Sequence, residues 1–221
     1  LLMAGTMSVC ISGGDVWAEN TVKLTSDTVY NVIGEIPASI EMNGHNIISN
    51  VMLNADNAGL SIIGTDMENL TINGEGLQFA VAAQSSSNAK VLISNVKKVD
   101  ITGNVINDSL LHSNINGAII FDKVGLFNIT TEKSIGLHAQ GGLIYIDADA
   151  VSIKSKDENA IWAQLSNCSG DYPSDVKIKS SGDITLQSTS STAVGAANMD
   201  SNVTDNKVTV DLQGKNIYVI S

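Results

Sequence analysis

The stretch DVKIKSSGDITLQS (175–188) is preceded by LIYIDADAVSIKS (143–155) and followed by KVTVDLQGKNIYVIS (207–221). Each holds two short apolar-x-apolar strands separated by a polar or glycine corner. The second strands start at Val151, Ile184 and Ile217, which are evenly spaced, and so are the first, at Ile144, Val176 and Val208. A third element of small and apolar residues lies beside each copy: GLHA (136–139), AIWA (160–163) and AVGA (193–196).

Period-two alternation places Val, Ile and Leu on one face of a strand and Ser, Thr, Lys and Asp on the other. A β-sandwich or a propeller shows that as well. The deciding feature is that equivalent strands return in order with the same corners. A repeat that cannot bury its own apolar face does so by stacking on its neighbours. Three short strands per repeat then make an all-β solenoid, a parallel β-helix of about six coils whose equivalent strands stack ~4.8 Å apart. The rival is a β-sandwich with hairpins at Asn43-Gly44, Asn73-Gly74 and Asn116-Gly117, since Asn-Gly favours tight hairpin turns.

Outward from the last third, the unit persists in looser form over 58–221. Leu60-Ser-Ile62 goes with Leu70-Thr-Ile72, and Val91-Leu-Ile93 with Val99-Asp-Ile101. Ile119 to Phe121 goes with Leu126 to Ile129. FAVAA (79–83) and NGAII (116–120) read as third elements; QSSSNAK (84–90) and NDSLLHSNING (108–117) have the chemistry of loops. Residues 19–57 carry less regular strands and read as an N-terminal cap with the first coils. The step between the late copies exceeds a minimal three-strand coil, so each should carry an excursion. QLSNCSGDYPS (164–174) and NMDSNVTDN (198–206) sit at equivalent places for this.

Residues 1–18 differ from the rest and read as a truncated signal peptide. LLMAGTMSVCI has the length and apolarity of a signal-peptide h-region, too short to span a bilayer, with cleavage expected after Ala18. The chain is then expected to be exported and to continue past Ser221.

Composition narrows the function. The formal net charge is −11, with 12 cations against 23 acids, and every cation is Lys. This argues against nucleic acid, which needs clustered cations, and against an anionic membrane surface. Without Arg the planar fork that clamps carboxylates and phosphates is missing. Cys10 falls in the signal segment and Cys168 is left single, so neither a disulfide framework nor a Cys/His metal spacing is expected. SGGD (12–15) and NGEG (73–76) lack the strand–loop–helix context of a phosphate loop.

His45, His112 and His138 are far apart in sequence, and His138, following Leu137, is expected to point outward as an isolated imidazole. Asp147 and Asp149 form a same-face carboxylate pair, read as solvating residues at a strand end. Trp162 aligns with His138 and Gly195, a variability that suits an exposed face. Trp162, with Tyr172 on the neighbouring loop, is therefore the candidate contact surface. No catalytic residue, metal or cofactor site is expected.

The export signal, the acidic Ser/Thr/Asn-rich β repeats and units such as VKIKSSGDITLQS (176–188) and NKVTVDLQGKNIYVIS (206–221) resemble the passenger regions of bacterial autotransporters. The likeness covers roughly residues 19–221 and is one of style and period. It implies a right-handed, pertactin-like parallel β-helix, an outer-membrane translocator barrel in the full-length chain, and display at or release from the cell surface. The role it implies is adhesion to, or reach toward, a host or neighbouring-cell protein or glycan. The alternative is a β-helical polysaccharide lyase or glycoside hydrolase. Pectate-lyase-like and polygalacturonase-like sites resemble arrangements that include an Arg, which this chain does not contain.

Overall fold

The computed structural model describes residues 21–55, 59–84, 89–165, 172–199 and 207–221. The signal-segment residues 1–18, Cys168 and most of both expected excursions lie outside them.

The described chain winds in coils. The first contributes β1 (Thr21–Lys23) and β2 (Thr28–Tyr30), the second β3 (Ser39–Glu41), β4 (Ile47–Ser49) and β5 (Leu53–Ala55). The third holds β6 (Leu60–Ile63), β7 (Asn69–Asn73) and β8 (Val81–Ala83); the fourth holds β9 (Lys90–Ser94), β10 (Lys98–Thr102) and β11 (Ser109–Asn114). In the fifth, one long strand, β12 (Ala118–Thr131), makes two limbs and is followed by β13 (Ile135–Gln140). The sixth repeats this with β14 (Leu143–Ser155) and β15 (Ile161–Leu165). β16 (Ser174–Ser180), β17 (Asp183–Ser188) and β18 (Val194–Asn198) form the seventh, and β19 (Val208–Gln213) and β20 (Asn216–Ile220) close the series.

Equivalent strands pair in parallel from coil to coil. The first limbs run β1-β3-β6-β9-β12-β14-β16-β19, the second limbs β2-β4-β7-β10-β12-β14-β17-β20, and the third limbs β5-β8-β11-β13-β15-β18. Six coils carry all three limbs. This is a parallel β-helix, and its parallel ladders exclude the hairpin-built sandwich. The corners use the same residues that hairpins would have used. Asn43 and Gly44 have φ of 52° and 86°, and Ile115 and Asn116 of 43° and 60°. This left-handed backbone is cheap for Gly and tolerable for Asn.

The register agrees with the sequence in two ladders and corrects it in one. Val151, Ile184 and Ile217 are Cα partners, as are Leu137, Ile161 and Val194. In the first ladder, however, Val176 pairs with Val210, and Val208 pairs with Ser174. The apolar run of β19 starts one pleat early, and the chain from Gln213 to Asn216 is one residue shorter than its paired stretch from Lys179 to Asp183. NGAII is not the third element it resembles: it runs into the first limb of β12, and the third limb of its neighbour is β11, within the stretch expected to be loop. The step is not fixed either. Thr28, Ile47, Leu70, Val99, Phe127, Val151, Ile184 and Ile217 are successive equivalents, closest together at the start of the stack and furthest apart at its end.

The core runs the length of the stack. Ile40, Ile62, Ile93, Phe121 and Ile146 fill it from the first ladder, and Ile47, Leu70, Val99, Phe127 and Val151 from the second. Leu53, Val81, Leu111, Leu137 and Ile161 close it from the third. Two of the chain's three Phe meet here, Phe121 and Phe127, with ring centroids 4.7 Å apart at 66°.

Hydroxyls tie the corner that follows the second ladder. Thr131, Ser155 and Ser188 are in register. Each accepts a hydrogen bond from a backbone N–H of the following corner, at Ser134, Glu158 and Ser191. Ser155 and Ser188 also donate at 2.8 Å to the carbonyls of Ser134 and Glu158 in the coil before. Ser155→Ala leaves one buried carbonyl and one N–H unmet, and is expected to cost about 1–2 kcal/mol in a denaturant titration.

Candidate functional site

The third ladder holds a polar cluster on its outer side. Leu111 and Ser113 alternate inward with Val81 and Ala83 below and Leu137 and Ala139 above. His112 therefore faces away from the core, in register with His138 one coil on. Both are nonetheless covered, at 5% and 2% exposure. Phe79 stacks on the His112 ring with centroids 4.6 Å apart at 26°, and His138 meets the same ring edge-on at 5.0 Å.

The third member is Asp108. In a straight strand, residues four apart are separated by ~13 Å, yet Asp108 Oδ1 is 3.7 Å from His112 Nδ1. The chain must turn between them. The unbroken burial of Ser109 through Ser113 fits a corner and not a regular pleat. A backbone bond from Ile135 N–H to the Asp108 carbonyl, 2.7 Å, anchors the corner to the next coil.

Asp108 Oδ2 lies 2.8 Å from His138 Nδ1. The contact is at ion-pair distance, and Nε2 of His138 is buried with no partner among the described residues. Ser109 Oγ donates to Asp108 Oδ1 at 2.9 Å and stands 3.3 Å from His112 Nδ1. Burial holds the His112 ring well below the usual imidazole range, at about 4; a neighbouring His138 charge pushes the same way, and Asp108 opposes. For Asp108, burial pushes the carboxyl up, but the contact and charge of His138, then His112 and Ser109, outweigh it and hold it at about 2. At neutral pH the cluster thus presents an ionised carboxylate and, at His112, a neutral imidazole. The Asp108 side chain is 47% exposed, so the cluster opens to solvent on that side.

Sequence reasoning missed this group for definite reasons. His138 is buried, contrary to expectation, and Asp108 reaches its ring around a corner hidden in a stretch with loop chemistry. The histidines are distant in sequence because one complete coil separates them. The available signal was Asp108-x3-His112 with a second His on the aligned rung.

The other candidates stay separate. Asp147 accepts from Lys179 Nζ at 2.9 Å and from the Tyr145 hydroxyl at 3.4 Å, while Asp149 accepts from Ser181 Oγ at 2.9 Å. Each carboxylate is thus bound to its own neighbours. His45 is half-buried, 3.7 Å from Asp27. Trp162 does align with His138 and Gly195. Its ring leans over Gly195, where a Cβ would come within 2.2 Å of it, and its Nε1 donates to Gln164 Oε1 at 2.8 Å. Tyr172 instead borders a shallow groove with Gly141, Gly142, Pro173 and Asp175, at the corner leading into β16.

Comparison of the chain with protein-family models, with curated proteins and with solved structures gave no match.

Proposed function

We propose that the chain is a non-catalytic segment of an exported surface protein, serving as adhesin or stalk in the manner of an autotransporter passenger. The observation that carries this reading is the continuous stack of parallel rungs with long strand-to-strand intervals at one corner. β15 ends at Leu165 and β16 begins at Ser174; β18 ends at Asn198 and β19 begins at Val208. Insertions at one corner of a solenoid project from one side, as contact loops do. The groove beside Tyr172 opens at that same corner. The partner is a host or neighbouring-cell protein or glycan, and a translocator barrel in the full-length chain would carry the segment outward.

The test uses the chain coupled to beads, panned over epithelial cells, bacterial cells and a glycan array. Retention is expected on at least one, and replacing 166–171 and 200–206 with Gly-Ser linkers should reduce it by more than tenfold. Retention unaffected by both replacements overturns the loop assignment. Absence of retention, with polysaccharide turnover that Asp147→Ala or Asp149→Ala removes, replaces the proposal with the enzymatic alternative.

A further inference from the structure

The cluster on the outer face of the third ladder is not used by that reading. Two imidazoles and a carboxylate converge there, each offering one atom within 4.8 Å of the others. We propose that Asp108, His112 and His138 bind one divalent transition-metal ion of the zinc class.

The donor set selects the ion. Ca²⁺ and Mg²⁺ take oxygen-rich shells, whereas two imidazole nitrogens with one carboxylate oxygen suit Zn²⁺, Co²⁺, Ni²⁺ or Fe²⁺. The size fits as well. Ligands ~2.1 Å from a tetrahedral ion are separated from one another by ~3.4 Å. One ligand atom from each of the three residues lies within 4.8 Å of the others, and the Asp108 carboxylate approaches the two Nδ1 atoms at 2.8 Å through Oδ2 and 3.7 Å through Oδ1. Small side-chain movements therefore open the ion-pair contact enough to admit the metal.

His138 is only 2% exposed; its Nδ1 faces Asp108 Oδ2 at 2.8 Å, and its Nε2 has no hydrogen-bond partner among the described residues. A metal at Nδ1 takes the place of the direct ion-pair contact with Asp108. The surroundings give the support that metal ligands need. Ser109 holds the Asp108 carboxylate, Phe79 packs flat on His112, and the pairing of β11 with β13 fixes both imidazoles on rigid backbone. Three protein ligands and an exposed carboxylate side leave a coordination position for water or for a donor from a partner.

The experiment is calorimetric titration of the EDTA-stripped chain with zinc chloride, with magnesium chloride as comparison and Co²⁺ absorption as a second readout. One site is expected, favouring zinc over magnesium by more than about 100-fold. His138→Ala and Asp108→Asn should each weaken it by more than the roughly 10–100-fold typical of outer-shell partners. Cys168→Ser and His45→Ala should leave it intact. Should a variant fail to fold by circular dichroism, imidazole resonances of the unaltered chain decide: two of the three histidines must shift with zinc. No zinc binding overturns the proposal and leaves an Asp–His ion pair only. So does binding that survives loss of His138, or that moves only the His45 resonance. Cell or glycan retention is read separately, so each proposal can fail without the other.

Discussion

Phe127→Ala is expected to destabilise the protein by about 3–5 kcal/mol, the range for removing a large aromatic side chain from a core that cannot close around the space. Phe127 is fully buried, stacked between Val99 and Val151 of the adjoining coils, and its ring meets Phe121 edge to face. The rungs are held ~4.8 Å apart by backbone hydrogen bonds, so the cavity cannot be closed by moving them together. For a chain of this size the change corresponds to a fall in Tm of roughly 10 °C. Because each coil contacts only its neighbours, the loss falls in the middle of a nearly one-dimensional stack. Unfolding followed by circular dichroism should therefore broaden or split in the variant. Val210→Ala, at a half-buried position of the last first-limb strand, is the control and should cost far less. Equal losses at both positions would contradict the view of one continuous core with a weaker end.

Glu68→Ala is expected to cost about 3 kcal/mol or more, because a buried carboxylate there satisfies several donors at once. The side chain, 1% exposed, accepts from Gly44 N–H at 2.6 Å, Thr65 N–H at 2.7 Å, Thr65 Oγ1 at 2.7 Å and Met67 N–H at 3.1 Å. The Gly44 bond reaches back to the preceding coil, so the residue fastens one coil to the next. Burial alone would raise the Glu68 carboxyl, but these donors hold it at about 2 against an ordinary 4.5. A lowered carboxyl contributes stability that is complete above the unfolded value and disappears as pH falls toward the folded one. The contribution of Glu68 is therefore expected in full at neutral pH and lost between about pH 4.5 and about pH 2. Chemical denaturation across that window should show a shallower decline for Glu68→Gln than for the unaltered chain. Parallel declines would assign the acid sensitivity to other groups.

How legible the fold was depended on which residues carried the signal. Inward strand positions are constrained by the core, so Val151, Ile184 and Ile217 announced their own register, as did Leu137, Ile161 and Val194. Corners are constrained only by backbone geometry, which many sequences satisfy. For this reason the shift from Val208 to Val210 and the third limb within 108–117 were not readable. Ser109-Leu-Leu-His-Ser breaks the period-two pattern where the strand rounds a corner, and a broken pattern reads as loop. The Asp108–His112–His138 cluster depends on that corner and on one complete coil of separation, two quantities absent from local sequence. Trp162 shows the converse. Its alignment was legible from its neighbours in AIWA, while its cover of Gly195 depends on a rotamer that no repeat pattern encodes.

The unequal coil lengths bear on how such a molecule can change. Each turn advances the stack by the same ~4.8 Å, whether the chain spends as little on it as from Thr28 to Ile47 or as much as from Ile184 to Ile217. Added residues at a corner widen the cross-section without altering the axial register, so neighbouring turns need not adjust. Height and girth are thereby separate variables. Surface features can be added, removed or exchanged at one turn without disturbing the scaffold above or below, and the longest turns lie toward the carboxyl-terminal end of the described stack.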